Sequence, residues 1–482
     1  MEAHETGHHG ACKGLRSQKM RKESLRVGFL GASTVARKAW LAVHRAGHRV
    51  TFIGCRDASK GRELAERLRK NIEADNETKK AAGVCAQQSF VEPSIGSYMD
   101  VVRADNVDVV YISLPTSKRP AWIRVCAEHG KHVVSEKPAA TSAAELVECL
   151  RDMASSRLLF IDGTALSHSQ RLQDVCRAVA QLGGPLHINA HMSFSASPSF
   201  MANDIRLQPL LEPYGALGDL GWYCIRWILH IVDFVLPTGV GGRVTACNAL
   251  QEESIDGAAN GTTSSASSAG ASEVAAVGAS ERRQSKRSAP AAITEFEGNL
   301  EFSTRAPTLK DVVPEAAAEA AETITASFRC SFHDCHDQTI DIFCRDGTVT
   351  VYGAINPTAE DRPHFVTQHH EVVAASATAE RQQSNTAGAT EAFEGYEQLR
   401  ERNDVVYSTA PEETDGAHQM EQLWRDVGDS VMRLGKGEPL IADPDLAKKW
   451  STFAYLTQVV MDRALEAAGQ HVHNATTSSA DA

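Results

Sequence analysis

Three side chains that lie far apart in the sequence have the chemistry of a proton-transfer site. Lys137 follows a short apolar run, and Asp219 and Tyr223 lie four residues apart in the glycine-rich segment 215–226. Side chains four residues apart share one face of a helix, so this carboxylate and this phenol would point in the same direction. A phenol with its ordinary pKa of about 10 exchanges protons poorly at neutral pH, and a neighbouring lysine cation lowers that pKa. We therefore predict that Tyr223, supported by Lys137, exchanges a proton with a substrate hydroxyl or carbonyl group.

A strand, a tight turn and a helix start follow one another at residues 27–46, which is the arrangement that holds a dinucleotide pyrophosphate. The candidate cofactor-binding residues of this turn are Gly31, Ser33, Thr34 and Val35. Gly31 can adopt the positive φ of the turn, and Ser33 and Thr34 can cap the helix whose N-terminal amides would face the pyrophosphate. Taken from Gly31 the motif reads GxSxxA, with Ser33 in place of the usual second glycine. An ordinary βα turn without a ligand is the alternative interpretation.

The residues just after the second predicted strand, 50–54, are expected to determine whether NADP or NAD binds. Arg56 comes first, Asp57 is next to it, and Lys60 lies four residues after Arg56. An arginine at this place suits the extra phosphate of NADP, whereas a carboxylate suits the ribose hydroxyls of NAD. We therefore predict NADP(H), and Asp57 leaves NAD(H) open as the alternative.

Two later strands, 109–113 and 132–135, each run directly into a short segment that could line the same crevice. Ligands of doubly wound sheets bind outside the carboxyl ends of the strands. Lys137 belongs to the second segment, which would bring this cation to the cofactor. The predicted cofactor-binding residues of the two segments are Leu114, Pro115, Thr116, Glu136, Lys137 and Pro138.

The elements that must position these residues follow a βαβ series from residue 25 to 163. Continuously apolar strands indicate a parallel sheet that is covered on both faces, and the intervening segments carry apolar residues at helical spacing. The predicted fold class is therefore α/β, with an N-terminal Rossmann domain built on a doubly wound parallel sheet. Its predicted strands are 27–30, 50–54, 109–113, 132–135 and 158–161.

After residue 163 the pattern changes to a C-terminal α+β domain, predicted over residues 164–472. Alternating strands at 186–194, 300–303, 323–332, 339–344 and 348–352 indicate an antiparallel sheet, and helices at 418–434 and 443–467 follow. Two segments, 251–292 and 374–413, have few large apolar residues and are predicted as low-complexity insertions. Residues 1–24 and 473–482 are predicted to be disordered tails.

Composition excludes several classes of partner. The net charge is −12, from 49 basic and 61 acidic residues, so no basic field attracts nucleic acid or anionic lipid. Charged residues interrupt the most apolar run, 219–236, which is predicted as a buried helix and not a membrane span. The 11 scattered cysteines contain no CxxC pair and indicate the reducing cytoplasm.

Four residues resemble zinc ligands by type, but their spacing fits no standard site, so no metal is predicted: Cys330, His333, Cys335 and His336.

Taken in order, these segments resemble the Gfo/Idh/MocA oxidoreductases, the family of glucose-fructose oxidoreductase, inositol dehydrogenase and rhizopine-catabolism proteins, and most of all its dihydrodiol dehydrogenase-like branch. The resemblance implies that Lys137 contacts the nicotinamide ribose and the substrate, that Tyr223 is the general acid/base, and that Asp219 orients or binds the substrate. It also implies a cis peptide before Pro138 and an open, mostly antiparallel sheet that forms the face of a homodimer. The matching stretches are VGFLGASTVARKAW, VDVVYISLPTS, GKHVVSEKPAA, DGTALSHSQR, NDIR and GALGDLGWYCIRW.

Three departures from the family pattern concern the ligand sites. Ser33 replaces a glycine, Leu166 stands where a tryptophan is common, and the segment 118–120 replaces the usual leucine, histidine and acidic or small residue. Within that last segment we expect Arg119 to point outward into solvent. If it pointed inward, it would favour an anionic substrate.

The sequence therefore predicts an enzyme that transfers a hydride between NADP(H) and a secondary alcohol, lactol or carbonyl carbon of a small sugar-like or trans-dihydrodiol substrate. One alternative is a non-catalytic NADP(H)-binding regulatory or scaffold protein, in which Tyr223 is only a core residue. Another is an imine or enone reductase that uses the same site. The combination of Lys137 with Tyr223 favours an enzyme, because a nucleotide sensor needs no proton donor.

Overall fold

The computed structural model describes the residues that form the two sheets and the helices around them. These are residues 24–81, 89–236, 242–252, 292–303, 323–355, 364–373, 398–407, 416–435 and 444–469. The predicted tails and most of the predicted insertion 251–292 lie outside the described residues.

The N-terminal part is a six-stranded parallel sheet with helices on both faces. The strand order is β3-β2-β1-β4-β5-β6, which confirms the predicted doubly wound Rossmann sheet. Its elements are β1 (Arg26–Leu30), α1 (Thr34–Arg45), β2 (Arg49–Gly54), α2 (Ala58–Ala81), β3 (Ser94–Gly96), α3 (Tyr98–Arg103), β4 (Val109–Ile112), α4 (Arg119–Glu128), β5 (His132–Ser135), α5 (Ala143–Ser155) and β6 (Phe160–Asp162).

Two features of this domain differ from the sequence prediction. Strand β3 and helix α3 were not predicted, because three and six residues are too short to show a hydrophobic period. Helix α2 continues to Ala81 instead of ending near residue 70. Ile72 is the last buried apolar residue in this helix, so the polar final turns carry no amphipathic signal.

The second part contains an eight-stranded sheet in the order β14-β13-β12-β11-β7-β10-β9-β8. Among the strand pairs that the structure describes in this sheet, only β7 and β10 run parallel, which confirms the predicted open, mostly antiparallel sheet. Its elements are α6 (Gln170–Gln181), β7 (Pro185–Ser193), α7 (Pro198–Asn203), α8 (Trp222–Val235), β8 (Gly242–Glu252), β9 (Ala292–Ser303), β10 (Thr323–Ser331), β11 (Asp337–Cys344), β12 (Gly347–Val351), β13 (His364–Val373), β14 (Gln398–Tyr407), α9 (Gly416–Gly435) and α10 (Pro444–Ala467).

Three strands of this sheet, β8, β13 and β14, were not predicted. Strand β14 forms the edge of the sheet and lies inside the segment 374–413, so the prediction of an insertion does not hold for residues 398–407. The sequence of this strand, QLRERNDVVY, is rich in charged and polar residues. Its pairing with β13 along its whole length, and not its own composition, makes it a strand.

Helix α8 packs on the inner face of the eight-stranded sheet and is apolar on almost every side. Its buried side chains join those of the sheet strands in one core cluster. No helix in the described part of the chain is both long and apolar enough to cross a membrane. The apolar run that contains α8 is thus a buried helix, as predicted.

The outer face of the same sheet is mainly polar. Asp341, Ser327 and His191 lie on it, at positions that alternate with buried apolar residues. Phe343 and Val405 are large apolar side chains exposed on this sheet, by 46% and 53%. A homodimer through this face, which the family resemblance implies, would therefore join mostly polar surfaces, and it stays a prediction.

The two C-terminal helices join the two parts of the protein. Trp424 and Val427 of α9 are buried in the core of the Rossmann domain, whereas the sequence analysis counted α9 with the second domain. Helix α10 contributes Trp450 to that core and Phe453 to the core beside α8. An amphipathic pattern shows that a helix has a buried face, but it does not show which surface covers that face.

A buried histidine holds α9 on the Rossmann domain. The Leu25 N–H group donates to His48 Nδ1 at 3.3 Å, and His48 Nε2 lies 3.0 Å from the carbonyl oxygen of Trp424. Since the backbone amide can only donate, Nδ1 accepts and Nε2 carries the proton in the neutral ring. Gly428 is needed here, because a Cβ atom at that position would lie 2.6 Å from His48 Nε2.

Candidate active site

The turn after β1 has the geometry of a phosphate-binding turn. Gly31 has φ +102°, and its N–H group donates to the Gly54 carbonyl oxygen at 2.9 Å. A Cβ atom at this position would lie 2.9 Å from Ser113 Oγ. Both the backbone angle and the close approach therefore require glycine at this position.

Ser33 and Thr34 lie at the N-terminus of α1, as predicted. Ser33 is the N-cap residue, and its Oγ accepts a hydrogen bond from the Ala36 N–H group at 3.2 Å. Thr34 is exposed, and Val35 is half-buried in the first turn. The positive end of the helix dipole lies at this terminus and favours an anionic group such as a pyrophosphate. This arrangement fits a dinucleotide even without the second glycine.

Arg56 and Asp57 follow β2 at the same edge of the sheet. Both side chains are exposed. Asp57 Oδ1 accepts from the N–H group of Ser59 at 2.9 Å and from its hydroxyl at 2.6 Å, and these bonds lower the pKa of the carboxyl. Arg56 lies beside Tyr98, where its positive charge opposes the effect of burial on the pKa of that phenol.

The segment after β4 is held closely by protein groups. Leu114 is buried next to Gly31, and Pro115 is half-buried. Thr116 is fully buried: its N–H group donates to Glu212 Oε1 at 3.0 Å and its hydroxyl donates to Glu212 Oε2. The predicted cofactor residue Thr116 thus has its hydroxyl bound to a carboxylate of the second domain.

Arg119 was expected to point into solvent, and this expectation was wrong. The residue is only 7% exposed, and its guanidinium donates to the Leu114 carbonyl oxygen at 2.7 Å, to Thr116 Oγ1 at 2.7 Å and to the Pro138 carbonyl oxygen. Glu212 Oε1 lies 3.7 Å from it. These partners compensate a buried charge that the sequence pattern alone would place outside.

Glu136 is buried beneath the crevice and does not face solvent. Its Oε1 accepts a hydrogen bond from the Tyr111 hydroxyl at 2.6 Å. A Cβ atom at Gly163 would lie 2.9 Å from the same oxygen. Glu136 thus fixes the end of β5 from below and is a fixed negative charge near the next residue, Lys137.

Lys137 crosses from the Rossmann domain to the start of α8. The peptide bond between Lys137 and Pro138 is cis, as the family resemblance implies. Lys137 Nζ donates to the Asp219 carbonyl oxygen at 2.6 Å and to Asp219 Oδ1 at 3.1 Å, and it lies 4.6 Å from the centre of the Tyr223 ring. The structure therefore brings together the three residues predicted to be catalytic.

A π-helical turn at Leu217–Gly221 gives Asp219 its position. Such turns are rare and often occur at functional sites. Gly218 allows the turn to approach Pro138, because a Cβ atom there would lie 2.7 Å from Tyr214 Cβ and 3.2 Å from Pro138 Cγ. The turn leads directly into α8, which carries Tyr223.

Asp219 is held between two cations. Its Oδ1 faces Lys137, and its Oδ2 lies 2.8 Å from Arg206 Nε. Arg206 also contacts Asp204 Oδ1 at 3.0 Å. Burial would raise the pKa of the Asp219 carboxyl, but the charges of Lys137 and Arg206 outweigh burial and lower it. Asp219 is therefore a fixed anion that orients Lys137.

The pKa of Tyr223 moves in the direction opposite to the sequence expectation. Burial raises this pKa above its ordinary value, and the negative charges of Glu136 and Asp219 raise it further, whereas Arg206 lowers it. Lys137 was expected to lower this pKa, but the net direction of the shift is upward. Tyr223 is consequently a protonated phenol at neutral pH and is suited to donate a proton.

Sequence reasoning missed two residues of this site, Arg206 and Glu212. Arg206 lies in the stretch NDIR that contributed to the family resemblance, yet nothing in its local pattern indicates contact with Asp219. Glu212 lies in a segment without regular structure before the π-helical turn. Only the packing of the two domains brings these side chains to the crevice.

The residues that resemble zinc ligands by type have different surroundings. Cys330 is buried and its Sγ lies 3.6 Å from the Phe296 carbonyl oxygen, whereas Cys335 is exposed. Across the described ranges, no group of three or more His, Cys, Asp or Glu side chains is arranged to hold a metal ion.

Comparison with known proteins agrees with this geometry. Residues 25–161 match the Gfo/Idh/MocA oxidoreductase family with its NAD-binding Rossmann fold. The D-xylose 1-dehydrogenase (NADP(+)) 2 of Haloferax volcanii is 25% identical over 221 residues, which are 45% of this chain and 61% of that protein. The trans-1,2-dihydrobenzene-1,2-diol dehydrogenase of Macaca fascicularis is 27% identical over 186 residues, 38% of this chain and 48% of that enzyme. The alignments thus span about half to three fifths of these relatives.

Solved structures match over nearly the whole chain. A 3-ketoreductase from Actinomadura kijaniata, in complex with NADP and TDP-benzene, has a TM-score of 0.58 at 17% identity and covers 91% of this chain and 96% of its own. A levoglucosan dehydrogenase in complex with NADH and levoglucosan has a TM-score of 0.57 at 13% identity and covers 93% and 98%. These likenesses confirm the two-domain fold. The part of the chain that matches the Gfo/Idh/MocA oxidoreductase family is its Rossmann domain, residues 25–161.

Proposed function

We propose that this protein transfers a hydride between NADP(H) and a secondary alcohol, lactol or carbonyl carbon of a small sugar-like or trans-dihydrodiol substrate. The observation that carries the proposal is the meeting of Lys137, Asp219 and Tyr223 at the carboxyl edge of the Rossmann sheet. The nicotinamide cofactor, when bound, would supply or accept the hydride. Gly31 and the N-terminus of α1 would hold its pyrophosphate.

Tyr223 would move the proton that accompanies the hydride. Because burial raises the pKa of its phenol, Tyr223 holds its proton at neutral pH and can donate it to a substrate carbonyl oxygen. Lys137 would stabilise negative charge that develops on that oxygen. Asp219 keeps the ammonium group in place. In the oxidation direction the same phenol, once deprotonated, would accept the proton of the substrate hydroxyl.

NADP(H) is favoured over NAD(H) because of the surroundings of two adjacent side chains. Arg56 is exposed after β2, where the extra phosphate of NADP would lie. The Asp57 carboxylate already accepts two hydrogen bonds from Ser59 at the start of α2. Asp57 is therefore less suited than a free carboxylate to bind the ribose hydroxyls.

Replacing Arg56 with alanine is expected to weaken NADPH binding by roughly 10- to 150-fold and to leave NADH binding nearly unchanged. The reason is that an arginine bound to a phosphate contributes about 1.5–3 kcal/mol, whereas NADH has no phosphate there. Fluorescence titrations of wild type and Arg56→Ala with both nucleotides would measure this. Arg67→Ala, at an exposed site on α2, is the control. An equal loss for NADPH and NADH would contradict the assignment.

Replacing Arg206 with glutamine is expected to move the pH dependence of alcohol oxidation to higher pH. Burial raises the pKa of Tyr223, as do the charges of Glu136, Asp219 and Asp162, and Arg206 opposes them. Loss of the guanidinium charge raises this pKa further, so the deprotonated phenol forms only at higher pH. Initial rates of oxidation measured across the pH range would give the shift.

A surface arginine on α5 provides the control for this experiment. Arg151 is 66% exposed and pairs with the exposed carboxylate of Glu148 at 3.3 Å, so Arg151→Gln should leave the pH profile unchanged. If Arg206→Gln had the same profile as wild type, Arg206 would have no influence on the proton-transfer step.

The two rival functions are separated by a substrate panel. Aldoses, dihydrodiols and diketones test the proposed reaction, and cyclic imines and enones test reduction of C=N or C=C bonds at the same site. Tight nucleotide binding with no turnover on any class would favour the regulatory or scaffold role. The site itself favours the enzyme, because a half-buried proton donor beside Lys137 has no use in a nucleotide sensor.

The proposed enzyme acts as a homodimer in the cytoplasm. The dimer rests on the family resemblance. The compartment rests on the scattered cysteines, of which eight in the described part of the chain are free thiols. Sedimentation of the purified protein would give its oligomeric state.

A further inference from the structure

An ion pair of the buried Arg119 with the half-buried Glu212 lies at the boundary of the two domains. Arg119 belongs to the nucleotide domain and starts α4, and Glu212 belongs to the segment before the π-helical turn. Their side chains are 8% and 16% exposed. Removing two charges from water costs free energy, and the attraction within the pair offsets this cost only when further hydrogen bonds are made. The groups that hydrogen-bond to Arg119 and Glu212 therefore indicate what the pair does.

The partners of Arg119 connect two loops of the predicted cofactor site. Its guanidinium binds the Leu114 carbonyl oxygen and Thr116 Oγ1 in the loop after β4, and the Pro138 carbonyl oxygen in the loop after β5. Pro138 follows Lys137 directly. Arg119 therefore fixes the loop after β4 relative to the residue that carries the ammonium group.

Glu212 connects the loop after β4 to the segment that leads into α8. It accepts hydrogen bonds from both the N–H group and the hydroxyl of Thr116, and the Ser117 N–H group donates to the Leu211 carbonyl oxygen at 3.0 Å. Only a few residues after Glu212, the chain enters the turn that carries Asp219. A displacement of the loop after β4 would therefore also displace the segment that leads into α8.

We propose that Arg119 and Glu212 are positioning residues that couple nucleotide binding at the loop after β4 to the placement of Asp219 and Tyr223. This inference rests on the proposed function, since the loop must be part of the nucleotide site. It also removes Arg119 as a receptor for an anionic substrate, because its charge is already engaged by Glu212 and by three oxygen acceptors.

Hydrogen–deuterium exchange tests the coupling without a known substrate. In the wild-type protein, saturating NADPH is expected to slow amide exchange in a peptide spanning residues 208–223. In Glu212→Gln, which keeps the size of the side chain and removes its charge, this slowing is expected to be lost or strongly reduced. The dissociation constant of NADPH, measured by fluorescence, is expected to rise by roughly 5-fold or more.

A variant of Arg119 provides a second test of the coupling, and an exposed ion pair provides the control. Arg119→His removes the guanidinium that binds Leu114, Thr116 and Pro138, and it should reproduce the effects of Glu212→Gln. The double variant should be no worse than the more damaged single variant. Arg124 and Glu148 form an exposed pair on α4 and α5, 3.6 Å apart, so Arg124→His and Glu148→Gln are the controls.

The outcomes distinguish this inference from the proposed function. If the wild-type protein bound neither NADPH nor NADH, both would fail. If the wild type bound NADPH and the variants showed the same slowing of exchange at 208–223 and the same affinity, the coupling alone would be overturned. A loss of thermal stability in Glu212→Gln with unchanged affinity and unchanged protection would assign the pair a purely structural role and would also overturn it.

Discussion

Replacement of Tyr223 by phenylalanine is expected to lower turnover by about 10²–10⁴-fold, which is the usual contribution of a positioned general acid or base. The aromatic ring would remain, so its packing against the core and its contact with Lys137 would be retained. Only the proton donor is removed. Turnover in both directions should fall together, because the same oxygen donates a proton as the phenol in reduction and accepts one as the phenolate in oxidation.

Nucleotide affinity is the control for this variant. Gly31, the N-terminus of α1 and Arg56 follow β1 and β2, whereas Tyr223 lies beside Lys137, which follows β5. The dissociation constant of NADPH should therefore stay within roughly 2-fold of wild type, a factor smaller than the loss of one hydrogen bond. Retention of most of the turnover by Tyr223→Phe would remove Tyr223 from the proposed mechanism.

Replacement of Arg226 by methionine is expected to lower the free energy of unfolding by about 3–5 kcal/mol. Arg226 on α8 is fully buried and pairs with Asp162 at the end of β6. It also binds Thr457 Oγ1 at 2.9 Å and Ser167 Oγ at 3.2 Å, so it connects the Rossmann sheet, α8 and α10. The variant leaves the Asp162 carboxylate buried without its cationic partner. Thermal and denaturant unfolding would measure the loss.

A double variant and a surface variant are the controls for Arg226→Met. The double variant Arg226→Met with Asp162→Asn removes both charges and should recover part of the stability, since no unpaired ion is then buried. Arg151→Met, at a site 66% exposed, should change the unfolding free energy by only about 0–1 kcal/mol. Equal and small effects of Arg226→Met and Arg151→Met would contradict the role assigned to the buried pair.

The sequence predicted part of the arrangement of Lys137, Asp219 and Tyr223 for a physical reason. Lys137 follows an apolar strand of a βαβ series, and the carboxyl ends of such strands share one edge of the sheet. Asp219 and Tyr223 were placed on one side of a helix by their spacing, although the observed turn is π-helical at Asp219. That the helix meets the sheet edge at Lys137 came from the family resemblance and not from the spacing.

The electrostatics of the site could not be predicted from the sequence. The direction of the Tyr223 pKa depends on burial and on the distance to Glu136, Asp219 and Arg206, which only tertiary packing sets. Arg119 shows the same limitation, because an arginine at the start of a helix is usually solvated. Its burial depends on acceptors from two other segments of the chain.

The strands that the sequence analysis missed share a different cause. Strand β14 has a polar sequence and becomes a strand by pairing with β13, and β3 consists of three residues at a sheet edge. Hydrophobic periodicity reports a face buried against a core, so it is weak for edge strands and short strands. The placement of α9 on the Rossmann domain depends in the same way on long-range contacts, such as that of His48 with the Trp424 carbonyl group.

The most direct test of the proposed function is the oxidation of NADPH by the purified protein in the presence of the carbonyl members of the substrate panel, followed by nicotinamide absorbance. We expect turnover by the wild type with at least one sugar-like or diketone carbonyl, and loss of that turnover in Tyr223→Phe with NADPH binding retained. Tight NADPH binding by the wild type without oxidation on any carbonyl, imine or enone would contradict the account and favour a regulatory nucleotide-binding protein.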